Sequence, residues 1–203
     1  MNSKKSLEAI KFFKQSLEKY GEIDPKLWLQ IEALLTIRKI DKNMSLVAFD
    51  ETPKMIYFVI SGVFRSYFLD QRGKTYTKNL FFTENLMGSM PALINTRPSA
   101  LQIEALCDAK VLCIPFARLK ELMQNDLALQ SLYIAYLEKH WIVEQEEIER
   151  SLVMEDADIR YKRLLNEEPH IDQLVPDYII ADHLGISPTQ LSRIRKKLKS
   201  LHM

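Results

Sequence analysis

The stretch that decides the fold is residues 177–199, DYIIADHLGISPTQLSRIRKKLK. It predicts two short helices joined by a tight turn at Gly185. The second helix begins with Ser187 as its N-cap and with Pro188 at the first helical position, where the missing N–H of proline costs nothing. Gln190 stands three residues after Ser187 and completes a predicted capping box.

The second predicted helix is apolar on one face and cationic on the other. Leu191, Ile194 and Leu198 fall at helical spacing and face inward, and the polar residues lie opposite. From Ser187 onward the sequence has five cations and no carboxylate. A capped helix with an apolar back and a cationic front fits the major groove of DNA, so we interpret 177–199 as a helix-turn-helix rather than an ordinary surface helix hairpin. The residues assigned to DNA binding are Ser187, Thr189, Gln190, Ser192, Arg193, Arg195, Lys196, Lys197 and Lys199.

These residues divide into two expected roles. Residues 189, 192, 193 and 196 are predicted to face base edges, with Arg193 the best candidate for guanine. Arg195, Lys197 and Lys199 are predicted to contact phosphates.

Composition is that of an ordinary globular protein. The chain has 203 residues, 47% of them hydrophobic and 27% charged, enough for one large or two small domains. No apolar run reaches the length of a membrane helix and the N-terminal stretch is amphipathic and charged, so we expect a cytoplasmic protein without a membrane partner. Cys107 and Cys113 lie in apolar stretches and are predicted to be core thiols.

The predicted secondary structure changes from helices to short strands along the first part of the chain. Residues 6–20 and 24–35 predict two helices, the second beginning at Asp24-Pro25. Short strand patterns then run from about Thr36 to Phe116, with a hairpin turn at 70–73. The named strands are 55–61, 63–69, 75–82, 101–106 and 111–114. Regularly spaced short strands predict a small barrel or jelly roll, so the expected fold class is α+β.

Residues 125–154 contain neither glycine nor proline and predict one long helix. Leu127, Ile134, Trp141 and Ile148 recur every seven residues, which is the spacing of a helix that packs along another helix. With Leu137, they form the predicted homodimer interface; the alternative is a helix that lies on its own barrel.

A hinge is predicted at residues 155–158, where Asp158 is expected to N-cap the helix 159–165. The predicted domains are therefore a barrel with N-terminal helices at 1–124, a dimerisation helix and hinge at 125–155, and a DNA-binding domain at 156–203.

Several segments resemble the Crp/Fnr family of bacterial transcription regulators. They are IYFVISGVFR (56–65), the turn at Gly73, IEAL (103–106), RYKRLL (160–165) and IADHLGISPTQLSRIRK (180–196). The last forty residues look like the subgroup common in Bacteroidetes-type bacteria. The resemblance implies a cyclic-nucleotide-binding-like barrel with a winged helix-turn-helix, acting as a homodimer on palindromic double-stranded DNA. It also implies contact with RNA polymerase and a small-molecule effector that the sequence does not identify.

The family's cyclic-nucleotide cassette is altered in this chain. The resemblance implies a Gly-Glu pair that holds the ribose and, about ten residues on, an arginine before Ser or Thr that holds the phosphate. In MGSMPALINTRPS (87–99), Gly88 and Ser99 match, but Ser89 replaces the glutamate and Arg97 is displaced by one residue. We therefore predict no useful binding of cyclic AMP. These four residues remain candidates for another small anion, with Arg97 as a solvent-facing loop residue the alternative.

The sequence lacks the ligand residues that other cofactors of the family, or a cupin-type enzyme, would need. No cysteine precedes Cys107, which excludes the family's N-terminal iron–sulfur mode, and residues 36–116 contain no histidine to support haem or the metal site of a cupin-type enzyme. We expect no cofactor, no metal site and no catalytic residues. A DNA-binding dimer with a vestigial barrel and no effector stays open as an alternative.

Overall fold

A computed structural model of the chain describes residues 2–201, with side chains for residues 7–200. Met1, His202 and Met203, and with them the outer limits of two predicted domains, lie outside that range. The helices are α1 (Asn2–Glu18), α2 (Pro25–Glu32), α3 (Met90–Asn95), α4 (Phe116–Asn125), α5 (Leu127–Leu137), α6 (Glu144–Met154), α7 (Ala157–Glu167), α8 (Ile171–Leu174), α9 (Asp177–His183) and α10 (Pro188–Leu201). The strands are β1 (Thr36–Ile40), β2 (Ser45–Val47), β3 (Met55–Ser61), β4 (Phe64–Leu69), β5 (Thr75–Phe81), β6 (Leu86–Met87), β7 (Gln102–Ala105) and β8 (Ala109–Pro115).

The eight strands form two antiparallel four-stranded sheets. Their orders are β1-β8-β3-β6 and β2-β7-β4-β5. Between the sheets lies a core that includes Val59, Phe64, Ile103 and Val111, all fully buried. This arrangement confirms the expected α+β fold with a jelly-roll-like barrel. The sequence patterns missed only the shortest or most polar strands, β1, β2 and β6.

Two turns place the strands that carry the candidate site. Gly62 joins β3 to β4 with φ +96°, and a Cβ there would lie 2.5 Å from the Cβ of Ala109, so only glycine fits. The β4–β5 hairpin turns at Asp70–Gly73, as predicted, and the Asp70 carboxylate accepts the N–H groups of Arg72 and Lys74. These backbone hydrogen bonds hold the pKa of Asp70 below its ordinary value.

A second core joins the barrel to the helices around it. Phe13 of α1, Trp28 of α2 and Leu132 of α5 pack with Phe58 and Leu112 on the outer face of the first sheet. α2 begins at Pro25, as predicted, and Asp24 N-caps it by accepting the N–H groups at positions 26 and 27. The observed helices end earlier than predicted: α1 ends at residue 18 instead of 20, and α2 ends at 32 because the chain turns into β1.

The predicted long helix begins close to the expected position and is interrupted in one place. α4 ends at Asn125, and Asp126 then N-caps α5 by accepting the N–H of Leu129 at 2.9 Å. Residues Glu138–Val143 form a π-helical segment before α6 continues. A π-helical turn contains extra backbone relative to an α-helical turn, so side chains beyond it are rotated about the axis.

The four C-terminal helices share a third core with the barrel. Tyr161, Ile180 and Leu191 pack with Val63 and Leu80 from the barrel. β5 is the free edge of its sheet, and the Asp182 carboxylate of α9 accepts the N–H of Thr77 on that edge. The C-terminal helices are therefore held against the barrel.

Two predictions for this end of the chain are wrong. α7 begins at Ala157 after Asp156, and Asp158 pairs with Lys197 at 3.1 Å instead of capping a helix. Residues 116–201 contain no strand, so the wing implied by the resemblance is absent from the described part of the chain.

Within the described residues, no helix is both long and apolar enough to cross a membrane.

Candidate nucleic-acid interface and effector cavity

The turn between α9 and α10 is fixed by its backbone. Gly185 has φ +69°, the left-handed conformation that glycine adopts without strain. The Ile186 N–H donates to the Ala181 carbonyl at 2.9 Å and the Gly185 N–H donates to the Asp182 carbonyl at 3.0 Å. This pair of bonds is a Schellman motif, so the turn that the sequence predicts at Gly185 is present.

The predicted capping box at the start of α10 is also present. The Gln190 N–H donates to Ser187 Oγ at 3.2 Å, and the Ser187 N–H donates to Gln190 Oε1 at 2.9 Å. The side chains of both residues are exposed, yet each already serves the helix end. They position the first turn of α10.

The faces of α10 are those that the sequence predicts. Leu191 is fully buried, and Ile194 and Leu198 pack against the third core. The opposite face is exposed and consists of Thr189, Ser192, Arg193, Lys196 and Lys199. Its three cations form no ion pair within the described residues, so their donors face solvent.

Arg195 corrects the sequence-based assignment. Its guanidinium donates to Tyr161 Oη at 2.9 Å and to Asp172 Oδ1 at 2.7 Å, and lies 2.8 Å from Asp177 Oδ2. Burial, together with the Asp172 carboxylate, raises the pKa of Tyr161 to about 12, so the phenol stays protonated beside these charges. Because its donors are occupied within the domain, Arg195 does not present them to a DNA phosphate in this structure.

Lys197 is intermediate between the exposed, unpaired cations of α10 and the fully paired Arg195. Its ammonium pairs with Asp158 at 3.1 Å, but 65% of the side chain is exposed. An ion pair this exposed contributes at most about 1 kcal/mol, so Lys197 stays available to another anion.

The two serines of the altered cassette are hydrogen-bonded to each other. Ser89 and Ser99 are both buried, and their hydroxyl oxygens lie 2.8 Å apart. Ser99 Oγ also lies 2.7 Å from the carbonyl oxygen of Leu101. Ser89 can thus donate to Ser99, which donates to Leu101, and the pair is satisfied without a ligand.

Arg97 does not join that pair. The stretch between the two serines forms α3, and Arg97 follows it as an exposed residue. Its backbone N–H donates to Ala92, whereas its guanidinium makes no hydrogen bond or ion pair within residues 7–200. This placement agrees with the alternative that Arg97 is a solvent-facing loop residue.

A cavity of about 500 Å³ lies between the barrel, the long helix and the C-terminal helices. Gly88 and Ser66 line it from the barrel, Trp141 and Glu149 from the long helix, and His183 from α9. Sequence patterns gave no sign of it, because its walls come from segments far apart in the chain.

His183 is held neutral in that wall. Burial lowers its pKa to about 4, against an opposing effect of the neighbouring Asp182 carboxylate. Its Nδ1 atom is buried and has no hydrogen-bond partner in the described structure.

The long helix leaves an apolar stripe uncovered. Leu127, Ile134, Trp141 and Ile148 are 79%, 46%, 37% and 38% exposed, and we call them the heptad stripe. Leu137, which the sequence places in the same interface, is half-buried against the barrel helices instead. The two cysteines agree with the prediction in part, since Cys113 is buried and Cys107 half-buried, and both are free thiols.

Comparisons with known proteins agree with this architecture. Residues 37–126 match the cyclic nucleotide-binding domain family. FixK2 from Bradyrhizobium japonicum is 19% identical, with 83% of this chain and 86% of that chain covered and a TM-score of 0.69. The c-di-GMP-responsive global regulator CLP from Xanthomonas campestris is 17% identical, with 87% and 92% covered and a TM-score of 0.62. A protein from Eubacterium rectale described as a transcriptional regulator of the Crp/Fnr family is 19% identical, with 88% and 84% covered and a TM-score of 0.65.

No curated protein sequence matches the chain significantly. At these identities the solved structures establish the fold. The barrel therefore has the fold of the cyclic nucleotide-binding domain family, whose model matches residues 37–126. The chain as a whole has a Crp/Fnr-like fold, and two of the three neighbours named above are described as regulators of gene expression.

Proposed function

We propose that this chain is a sequence-specific, DNA-binding transcription regulator of the Crp/Fnr type. The observation that carries the proposal is the exposed face of α10, where Arg193, Lys196 and Lys199 have no ion-pair partner in the described residues. A capped helix of this kind fits the major groove, with Arg193 against base edges and Lys199 against the backbone. The domain limits of 125–155 for the connecting helix and 156–203 for the DNA-binding part belong to the same proposal.

The heptad stripe supports a homodimer. Four large apolar side chains, spaced every seven residues, are exposed on a helix whose other face packs on the barrel. Uncovered apolar rows of this kind mark interaction surfaces, and pairing two such helices would bury both. Two copies of α10 about 34–36 Å apart would then read a palindromic site.

The effector of this regulator is not cyclic AMP. A cyclic nucleotide would have to separate Ser89 from Ser99 and would find neither the glutamate nor the arginine of the family cassette. An unpaired buried ribose costs about 1–3 kcal/mol and the lost phosphate contact at least as much, which together weaken binding roughly a hundredfold or more. The closed serine pair also favours a second candidate, a DNA-binding dimer whose barrel has no effector.

Selection of bound DNA from a random library by the full chain, at a stated salt concentration, tests the main proposal. We expect enrichment of a palindrome by the natural chain and by a control with Lys11→Ala and Lys120→Ala, which removes two exposed charges far from α10. The Arg193→Ala, Lys196→Ala variant should enrich none. Selection of no palindrome by the natural chain, or of the same palindrome by all three proteins, would refute the proposal.

A further inference from the structure

The cavity beside the long helix has the opposite charge to a nucleotide site. Glu149 of α6, Glu167 at the end of α7 and Glu168 directly after it line the cavity, and none of them forms an ion pair within the described residues. Glu144 lines it too, hydrogen-bonded to His140. Lys78 is the only lysine or arginine among the described lining residues. A bound anion would therefore face a net negative wall.

An unpartnered polar group points independently to a ligand. Ser66 lines the cavity from β4 and is only 2% exposed, yet its hydroxyl has no hydrogen-bond partner in the described structure. A buried hydroxyl without a partner costs free energy, which a ligand with a hydrogen-bonding group would recover. His183 Nδ1, from α9, is unpartnered as well.

The arrangement of the carboxylates indicates whether the cavity fits a metal ion or an organic cation. No group of three or more His, Cys, Asp or Glu residues within the described chain is close enough to hold a metal. The glutamates come from different segments of the cavity wall, Glu149 from α6 and Glu167 and Glu168 from the end of α7 and the residue after it. Spread carboxylates suit a molecule that carries several positive charges at intervals.

The remaining walls are apolar and aromatic. Phe82, Tyr136, Trp141 and Leu164 contribute to them. Aromatic faces attract ammonium groups, and methylene segments gain by leaving water against such surfaces. The same cavity thus offers carboxylates for charges and apolar surface for the spacers between them.

We propose that this cavity binds a short aliphatic polyamine, a chain of ammonium groups separated by methylene segments. The ammonium groups pair with Glu149, Glu167 and Glu168, and the amine donors reach Ser66 Oγ. Burial and the adjacent Glu167 raise the pKa of Glu168, which agrees with a carboxylate that lacks a cationic partner. That the polyamine acts as an effector rests on the proposed function, whereas its binding does not.

Spermidine is the probe, with cyclic AMP as the comparison, in thermal-unfolding and calorimetric titrations of the full chain without DNA. At a concentration about a hundred times Kd, spermidine should raise Tm by about 5–10 °C. The Glu149→Gln, Glu167→Gln, Glu168→Gln variant should bind at least about tenfold more weakly, because it loses charge-assisted contacts. A matched variant, Glu8→Gln, Glu22→Gln, Glu51→Gln, removes three exposed charges outside the cavity and should bind as the natural chain does.

Each other outcome overturns the proposal. Equal weakening in both triple variants would mean diffuse binding to the acidic surface. No shift with spermidine would mean that the cavity is empty of ligand or is filled by the helix of a second copy, whose interface would adjoin Trp141. If the cavity triple variant does not fold, Glu149→Gln alone, at an exposed position, must weaken binding at least about threefold. Because no DNA is present, a failed DNA selection leaves this result intact.

Discussion

Replacing Arg195 by alanine distinguishes a structural cation from a DNA-binding one. Three hydrogen-bonding partners surround its guanidinium, and only 21% of the side chain is exposed. Its contact with Asp177, itself 62% exposed, contributes little more than about 0.5 kcal/mol. The bond to Tyr161 is better shielded, because that residue is only 1% exposed, and removing the guanidinium leaves the phenol with only the Asp172 carboxylate as its hydrogen-bond partner.

The expected loss follows from these contacts. A shielded hydrogen bond to a charged group contributes about 1.5–3 kcal/mol, so Arg195→Ala should lower the free energy of unfolding by about 2–3 kcal/mol. For a chain of 203 residues that lowers Tm by about 5–10 °C. Arg193→Ala, which removes an exposed cation without a described partner, should change stability by less than about 0.5 kcal/mol.

Urea denaturation followed by fluorescence and circular dichroism measures both variants, and fluorescence anisotropy measures DNA affinity below the unfolding transition. We expect Arg195→Ala to be unstable but, while folded, to bind selected DNA with nearly natural affinity. Arg193→Ala should be as stable as the natural chain but should bind the selected DNA more weakly. If Arg195→Ala keeps natural stability and binds DNA weakly, the network does not hold the domain together and the original phosphate assignment is right.

The remaining predictions concern recognition, assembly and pH. Arg193→Ala should cost about 1–3 kcal/mol at one base of each half-site, whereas Lys199→Ala should weaken binding to all sequences and reduce the salt slope by about one; a sequence-selective loss at Lys199 would contradict its assignment. Ile134→Glu should give a monomer in sedimentation velocity, because it places a charge in the heptad stripe, while Gln124→Glu on α4 should sediment as the natural chain does. The pKa of His183 is near 4 when folded and 6.5 when unfolded, so the folded state binds fewer protons between these values. Stability is therefore full above about pH 6.5 and falls as the pH drops toward 4; between pH 7 and 5 the natural chain should lose about 2 kcal/mol more than His183→Asn, and equal losses by urea denaturation would refute this.

Features decided within a few residues could be predicted from the sequence. The Ser187–Gln190 capping box and the left-handed turn at Gly185 depend on neighbouring backbone groups, and both formed as the pattern indicated. The β4–β5 hairpin is equally local. The barrel followed from the alternation of its longer strands, because alternation reports which face of a strand is buried.

Features decided by distant partners could not be predicted in this way. The π-helical segment at 138–143 occurs where His140 meets Tyr20, at 2.5 Å from its hydroxyl, 120 residues earlier in the chain. Asp182 accepts a hydrogen bond from the edge of β5, a contact that no local pattern encodes. The walls of the cavity come from the barrel, the long helix and two C-terminal helices, so its charge emerges only when these segments are folded together.

The cations of α10 show both kinds of feature, those decided locally and those decided by distant partners, within one helix. In sequence, Arg193, Arg195 and Lys197 belong to one basic run, and the pattern assigns all three to DNA, Arg193 to a base edge and the other two to phosphates. In the fold, Arg195 points away from Arg193, because a step of two residues rotates the side chain by about 200° around the axis, whereas Lys197, four residues on, returns to within about 40° of Arg193. Arg193 therefore faces solvent, Arg195 turns toward Asp172, and Lys197 reaches back to Asp158. Charge alone measures attraction to DNA, but the carboxylates of neighbouring helices decide which cations remain free for it, and those carboxylates lie 23 and 39 residues away in the chain.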